Sequence, residues 1–217
     1  MAQVPTGTTF HIASAYGSNL PFTTASNATE CVLGMASTTG LANGDIVEVT
    51  SGWGRLNLRL VRLKSVVLNT SVTLEGIDTS STTFFPAGSG AGTVRKVSTF
   101  TQLQQVLGIQ SSGGDPKNVN YKYYESDVEF QINDGFSATT MTLELDADSI
   151  GTAGYTAAKS LTDTQSNTGL RINTRNGAVI YQPCTVALNE AVQFQDGQVN
   201  RVRLAINSNN RLVRYAS

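Results

Sequence analysis

A mainly β fold with one or two short helices is what the sequence predicts, on three observations. Segments of period-two or β-rich character recur along the whole chain. Clusters of Gly, Asn, Asp, Ser and Pro separate them, and apolar periodicity of 3.6 residues is almost absent. In chain order the expected strands are Thr8–Ile12, Asp45–Val49, Leu56–Leu68, Val72–Leu74, Val94–Val97, Tyr123–Ile132, Thr140–Ala147, Ala178–Leu188 and Val199–Ile206. Asn43-Gly44, Asn133-Asp134-Gly135, Asn176-Gly177 and Asp196-Gly197 mark turns, because these residues tolerate positive φ. Helical spacing occurs at Thr99–Leu107, where Phe100, Leu103, Val106 and Leu107 share a face behind Ser98 or Thr99, and at Tyr155–Leu161. Ile77–Gly92 has the Ser/Thr/Gly content of a loop or linker, although Phe84-Phe85-Pro86 within it needs covering. Gln110–Asn120 reads as a flexible excursion between the first helix and the next strand.

The chain has 217 residues, 40% of them apolar, enough for one sizeable domain or a domain with a small companion. Only 14% are charged, against roughly 25% in an average globular chain, so Ser, Thr and Asn supply the polarity. Fifteen basic residues against 16 acidic ones leave a net charge of −1. Tight nucleic-acid binding by counterion release has no overall charge to draw on, while the small net charge favours self-association. No apolar run approaches the ~20 residues that span a bilayer. Met1–Pro5 lacks the features of a secretion signal, so the expectation is a chain made and kept in a cytoplasm, without membrane partners.

Tested for chemistry, the sequence offers little. His11 is the single histidine, which removes every two-His metal motif, and it alternates with Phe10 and Ile12 in the first expected strand. Cys31 and Cys184 are far apart, without a C-x-x-C, and read as small buried residues. No G-x-S-x-G, H-E-x-x-H or P-loop occurs. Asp146-Ala147-Asp148 begins like a calcium-binding loop, but Ile150 and Ala157 occupy positions where that loop needs oxygen ligands. No catalytic residue, cofactor-binding residue or metal ligand is therefore assigned, and the reading is not an enzyme.

Charge is unevenly distributed. Glu125, Asp127, Glu129, Asp134, Glu144, Asp146 and Asp148 make seven acids between Tyr124 and Ile150 without a single Lys or Arg. From Arg171 onward, Arg171, Arg175, Arg201, Arg203, Arg211 and Arg214 face only Glu190 and Asp196. Side chains two apart share a strand face. Glu125, Asp127 and Glu129 are therefore expected on one face with Val128, Phe130 and Ile132 on the other. Glu144, Asp146 and Asp148 are likewise expected opposite Met141, Leu143, Leu145 and Ala147.

Three stretches in order carry a family likeness: PTGTTFHIASAYGS near the start, GDIVEVTSGWGRLN at Gly44–Asn57, and LEGIDTSSTTFFPAGSGAGTVRKVSTFTQLQQVL at Leu74–Leu107. The sequence resembles the major tail tube proteins of long non-contractile-tailed, lambda-like bacteriophages over most of its length. The resemblance implies a β-sandwich or barrel-like tube core with a flanking short helix, plus a small inserted or adjoining β module. Residues 1–19 would be an N-terminal arm and first core strand, 20–93 the module, with Trp53 as its anchor, and 94–217 the rest of the core. An additional C-terminal immunoglobulin-like domain, frequent in such proteins, is not expected within 217 residues. The implied role is structural: hexameric rings stacked into a hollow tail tube, the conduit for genome delivery, assembled in the host cytoplasm and resident in the virion tail. Implied partners are other copies of the chain and the tape-measure, tail-tip initiator and tail-terminator proteins, with DNA passing through without tight binding and no cofactor.

Physical reasoning on that role assigns three sets of residues. Sliding DNA, with about one negative charge per 1.7 Å, is best served by a lumen without arrays of bases, so Glu125, Asp127, Glu129, Glu144, Asp146 and Asp148 are expected to include the lumen-facing set. Arg171, Arg175, Arg201 and Arg203 are expected to meet acids of an adjacent subunit. Ring stacking is expected from Ser111, Ser112, Gly113, Gly114, Asp115, Pro116, Lys117 and Asn118, in the region where the family has a long hairpin. A carbohydrate- or surface-binding β module, with Tyr121, Tyr123 and Tyr124 as stacking platforms, is the competing reading.

Overall fold

The structure, a computed structural model, describes residues 6–216. Met1–Pro5, the beginning of the expected N-terminal arm, and Ser217 lie outside the described residues. Within them the chain forms β1 (Thr9–Tyr16), β2 (Leu20–Phe22), β3 (Thr24–Ala25), β4 (Val32–Gly34), β5 (Ile46–Ser51), β6 (Arg59–Val67), β7 (Ser71–Leu74) and β8 (Gly92–Leu103). The second half adds β9 (Val106–Ser112), β10 (Pro116–Tyr121), β11 (Phe130–Phe136), β12 (Thr140–Asp146), α1 (Ala153–Thr164), β13 (Thr168–Asn173), β14 (Val179–Gln193), β15 (Arg201–Ser208) and β16 (Val213–Tyr215). Twelve strands form one large curled antiparallel sheet in the order β3-β4-β7-β6-β5-β8-β1-β13-β14-β15-β12-β9. Strand β2 adds to β8 and β16 to β14, while β10 and β11 pair only with each other. The fold is mainly β with one α-helix, a sandwich-like or barrel-like wrap of the kind the sequence predicts.

Alternating apolar residues make two cores from this sheet. Phe22, Leu33, Trp53, Leu63, Val72 and Leu74 fill the first, built from β2 to β7. Phe10, Ile12, Leu143, Leu170 and Leu204 fill the second, together with Tyr155 and Ala158 of α1. Ala13, Leu60, Val97, Tyr181 and Tyr215 pack where the two meet. Strand β8 runs through that junction. Its first residues pair with β2 and β5, its last with β1, so a division between residues 93 and 94 falls inside one continuous strand.

One expectation changes here, and a second, left open between loop and linker, is decided. Thr99–Leu107 is no helix: Thr99–Leu103 complete β8, Gln105 turns the chain at φ 56°, and Val106 opens β9. Ladder pairing outweighs the helical period, because Phe100, Thr101 and Leu103 sit opposite Ala13, Ile12 and Phe10 of β1, and β-branched and aromatic residues fit that pleated, covered surface. Ile77–Gly92 is not a free linker. Trp53, 2% exposed, donates its Nε1–H to the Pro86 carbonyl at 2.8 Å and meets the Phe85 ring edge-on, and Asn27 Nδ2 donates to the carbonyls of Thr79 and Phe85. Gly90 lies flat against the indole, and a Cβ there would come within 2.7 Å of the ring. Phe84 stays about half exposed beneath Arg55.

The second helical segment forms as α1, longer than Tyr155–Leu161 at both ends. Thr152 caps it, accepting the Tyr155 N–H, and Gln165 ends it in the left-handed region. Its buried face is Gly154, Tyr155 and Ala158. Thr162 Oγ1 accepts the backbone N–H of Leu188, which fixes the helix to β14. Cys31 and Cys184 are both buried free thiols, and burial pushes the Cys184 thiol up to about 12.

The C-terminal strand stitches the two cores together. Tyr215 Oη accepts the Arg62 N–H at 2.9 Å and donates to the Glu75 carbonyl at 3.2 Å. Arg62 in turn stacks over the Tyr215 ring and forks onto the Glu75 carboxylate at 2.5 and 2.7 Å. That fork holds the Glu75 carboxyl below its ordinary 4.5. A depressed folded value stabilises the fold above the unfolded pKa, and this contribution is lost as pH falls through the folded value. Urea midpoints measured from neutral pH down should therefore fall less steeply below pH 4.5 in Glu75→Gln than in wild type, with the variant already weaker at neutral pH.

Candidate assembly interface

The β9–β12 ladder, from Val106↔Leu145 to Ser112↔Thr140, continues through a hinge into the β10–β11 ribbon, from Pro116↔Phe136 to Tyr121↔Phe130. Gly113 and Gly114 make the hinge at φ 83° and 81°, and a Cβ on Gly113 would lie 1.9 Å from the Ala138 carbonyl oxygen. Only glycine fits that turn. The stretch Ser111–Asn118 is therefore no loose excursion. Ser111 and Ser112 end β9 opposite Met141 and Thr140, Gly113, Gly114 and Asp115 form the bend, and Pro116, Lys117 and Asn118 begin β10. The outer side of β9 is a free edge of the large sheet.

Register makes the ribbon amphipathic. Val119 faces Ile132 and Tyr121 faces Phe130 on one side, while Asn118, Asn120, Gln131 and Asn133 alternate onto the other. Tyr121 stacks on Phe130 at 5.5 Å between centroids, and Tyr123 closes edge-on against both. Yet Val119, Phe130 and Ile132 are 53%, 40% and 56% exposed. The expected sorting of apolar residues onto one face is present at Phe130 and Ile132, but that face looks at solvent, not at the core.

The acids fall into three groups. Glu125, Asp127 and Glu129 are not on a strand: the ladder ends at Tyr121↔Phe130, and the eight residues between β10 and β11 form an exposed tip, folded by Ser126, whose N–H donates to the Tyr123 carbonyl and whose Oγ accepts the Val128 N–H. Glu144 lies on β12 as expected, but it is buried, because Arg201 from β15 bonds it at 2.7 Å and Arg203 approaches to 3.7 Å. Asp146 accepts the Asp148 N–H and caps a 3-10 turn, Ala147–Gly151, so Asp148 leaves the strand face. The two acid rows are broken, in one case by the turn that ends the ribbon and in the other by an internal ion pair and a cap.

Two of the four named bases are thus engaged within the chain. Arg171 lies over the Phe100 ring at 4.7 Å and sits opposite His11 on β1. Arg171 Nε and His11 Nδ1 have no hydrogen-bond partner among the described residues. Burial, with the charge of Arg171, holds the His11 pKa below its ordinary 6.5, so the ring is neutral at neutral pH. Arg175 stands exposed in the Thr174–Gly177 turn. Sequence reasoning named the ribbon tyrosines but missed Val119, Phe130 and Ile132 as a solvent-facing patch. Val119 lay in a stretch read as loop, and Phe130 and Ile132 in one read as core-facing.

A free sheet edge carrying a ribbon with an uncovered apolar face is a surface built for contact. The family model described as phage tail tube protein, TTP, matches residues 51–217. The chain belongs to the phage tail tube protein family. No curated protein matches the sequence. The family match begins at the last residue of β5 and takes in β6 to β16, the ribbon and α1 included, leaving β1 to β4 and the rest of β5 ahead of it. As a tail tube protein the chain has a structural role in the virion tail, where it self-assembles into the tube together with other tail proteins. Among the described residues no helix is long and apolar enough to cross a membrane.

Glu144 tests the strength of the internal pairing beneath this edge. Glu144→Gln leaves Arg201 half-buried without its counter-charge, and should lower stability by about 1–3 kcal/mol in urea titration.

Proposed function

We propose that the tail tube protein closes into hexameric rings and that the rings stack into the conduit through which the genome is delivered. The observation that carries this reading is the β10–β11 ribbon. An isolated two-stranded hairpin is marginal in water, and this one keeps an apolar face uncovered, so it gains its stability from a neighbouring subunit. A ring needs one head-to-tail contact whose rotation closes, and stacking needs a second. The ribbon and its hinge, Ser111–Asn118, serve the axial contact, and the flank carrying Arg171 and Arg175 serves the lateral one, with Arg201 and Arg203 already engaged by Glu144. Asp146 and Asp148 are the acids proposed to face the lumen. The tip acids Glu125, Asp127 and Glu129 belong to the ring junction in this reading. Residues 20–93, with their own core, act as a module of the tube wall, and β8 ties them to it. Assembly takes place in the host cytoplasm on a tail-tip initiator, around a tape-measure protein, and ends at a terminator.

Sugar binding by the ribbon tyrosines is less well supported, because Tyr121 and Tyr123 spend their ring faces and edges on each other and on Phe130. Purified protein examined by light scattering and negative-stain microscopy across concentration and salt should form rings or hollow filaments, with assembly weakening as ionic strength rises. Phe130→Ser combined with Ile132→Ser should leave the melting temperature within about 2 °C of wild type, since both side chains are exposed, and should abolish filament growth. Filaments of normal length from that variant would remove the ribbon from the axial contact.

A further inference from the structure

At the base of the ribbon the hinge, the end of β15 and the segment leading to β16 enclose a cleft of 460 Å³. Phe136 and Leu212, 60% and 47% exposed, line it, with Arg211 beside them. Gln182 of β14 also lines it; the residue is 2% exposed, yet its Nε2 has no hydrogen-bond partner among the described residues. A buried amide donor left without an acceptor is costly, which makes an acceptor supplied from outside the chain the natural completion. The charge is incomplete as well. Arg211 makes no ion pair among the described residues and repels Arg59, whose own Nε is buried without a partner. The cleft thus offers two apolar walls, an unsatisfied N–H and an uncompensated positive charge.

We propose that this cleft is the receptor for the acidic ribbon tip, Tyr124–Glu129, of a second copy of the chain. The tip carries the complement of each feature. Tyr124 is fully exposed, Val128 is 57% exposed, and Glu125, Asp127 and Glu129 make no ion pair among the described residues. A chain cannot fill its own cleft this way. The six paired residues of β10, at about 3.3 Å each, carry the tip roughly 20 Å from the base of its ribbon. Each copy therefore presents one tip and one cleft, and a tip-to-base contact repeats head to tail, which gives growth along an axis when its rotation does not close. The proposal rests on the tail tube reading and names the partner surface of its axial contact.

Cysteine cross-linking of full-length protein tests it. Tyr124→Cys and Leu212→Cys are made in separate chains, mixed and mildly oxidised; Cys31 and Cys184 are buried and do not compete. The mixture should give a covalent dimer that neither variant gives alone, and Arg211→Glu placed in the Leu212→Cys chain should cut its yield about tenfold. Wild-type protein that forms rings or filaments while the mixture gives no cross-link overturns the receptor and leaves the tube reading standing. A cross-link suppressed by Arg211→Glu in a protein that forms neither supports the receptor and overturns the tube reading. A cross-link indifferent to Arg211→Glu, or absence of both assembly and cross-link, overturns the receptor.

Discussion

Continuity of β8 is the constraint on which the rest of the structure depends. A backbone edge inside a sheet has to find partners, and β8 finds different ones along its twelve residues: β2 and β5 at its start, β1 at its end. Two cores that share a strand cannot slide past one another without breaking its ladder. The Glu48–Arg95 pair sits on this shared stretch, a buried carboxylate held across the β5–β8 ladder at 2.8 Å. Burial raises the Glu48 pKa and Arg95 opposes the rise, so the pair carries its charge at a desolvation cost that its geometry has to offset. From the other end of the sequence, Tyr215 closes the same junction with two hydrogen bonds into β6 and the segment after β7.

What could be read from the sequence follows the reach of the interactions. Period-two or β-rich character located β5, β6, β12, β14 and β15, because that pattern is local. Strands β3 and β4, two and three residues long, have too few residues to show a period, and β13, buried at four of six positions, has no alternation to show. The misread helix at Thr99–Leu107 has the same origin. Phe100, Leu103, Val106 and Leu107 fit a helical face, but pairing with β1, some ninety residues earlier, decides the conformation of Phe100 and Leu103, and pairing of β9 with β12 that of Val106. Sequence spacing contains no term for that partner.

The assembly surface was legible in composition and illegible in geometry. Seven acids without a base, and polar residues around Gly113-Gly114, were visible as a block. Their placement depends on where the β10–β11 ladder stops. A register ending at Tyr121↔Phe130 puts Glu125, Asp127 and Glu129 on a tip; a strand running from Tyr123 would have put them on a face. Glu144 was lost to the opposite cause. Its partner Arg201 stands on β15, directly alongside β12, and the cross-strand pair forms inside one chain before any neighbour is met.

The distribution of satisfied and unsatisfied charges then separates folding from assembly. Ion pairs are concentrated where strands meet: Arg62 with Glu75, Arg95 with Glu48, Lys96 with Asp45, Arg201 with Glu144. Among the described residues, the acids of the ribbon and tip and the arginines at 175, 211 and 214 take no part in such pairs. Opposite charges kept at separate places on one subunit cannot neutralise each other internally, yet they would become neighbours in the proposed head-to-tail association of copies. With a net charge of only −1, long-range repulsion between copies is weak, which leaves orientation in the proposed assembly to these local patches and to the apolar ribbon face. In the proposed assembly, specificity would come from the pairing of patches, and affinity from the burial of Val119, Phe130 and Ile132, side chains that folding alone leaves in water.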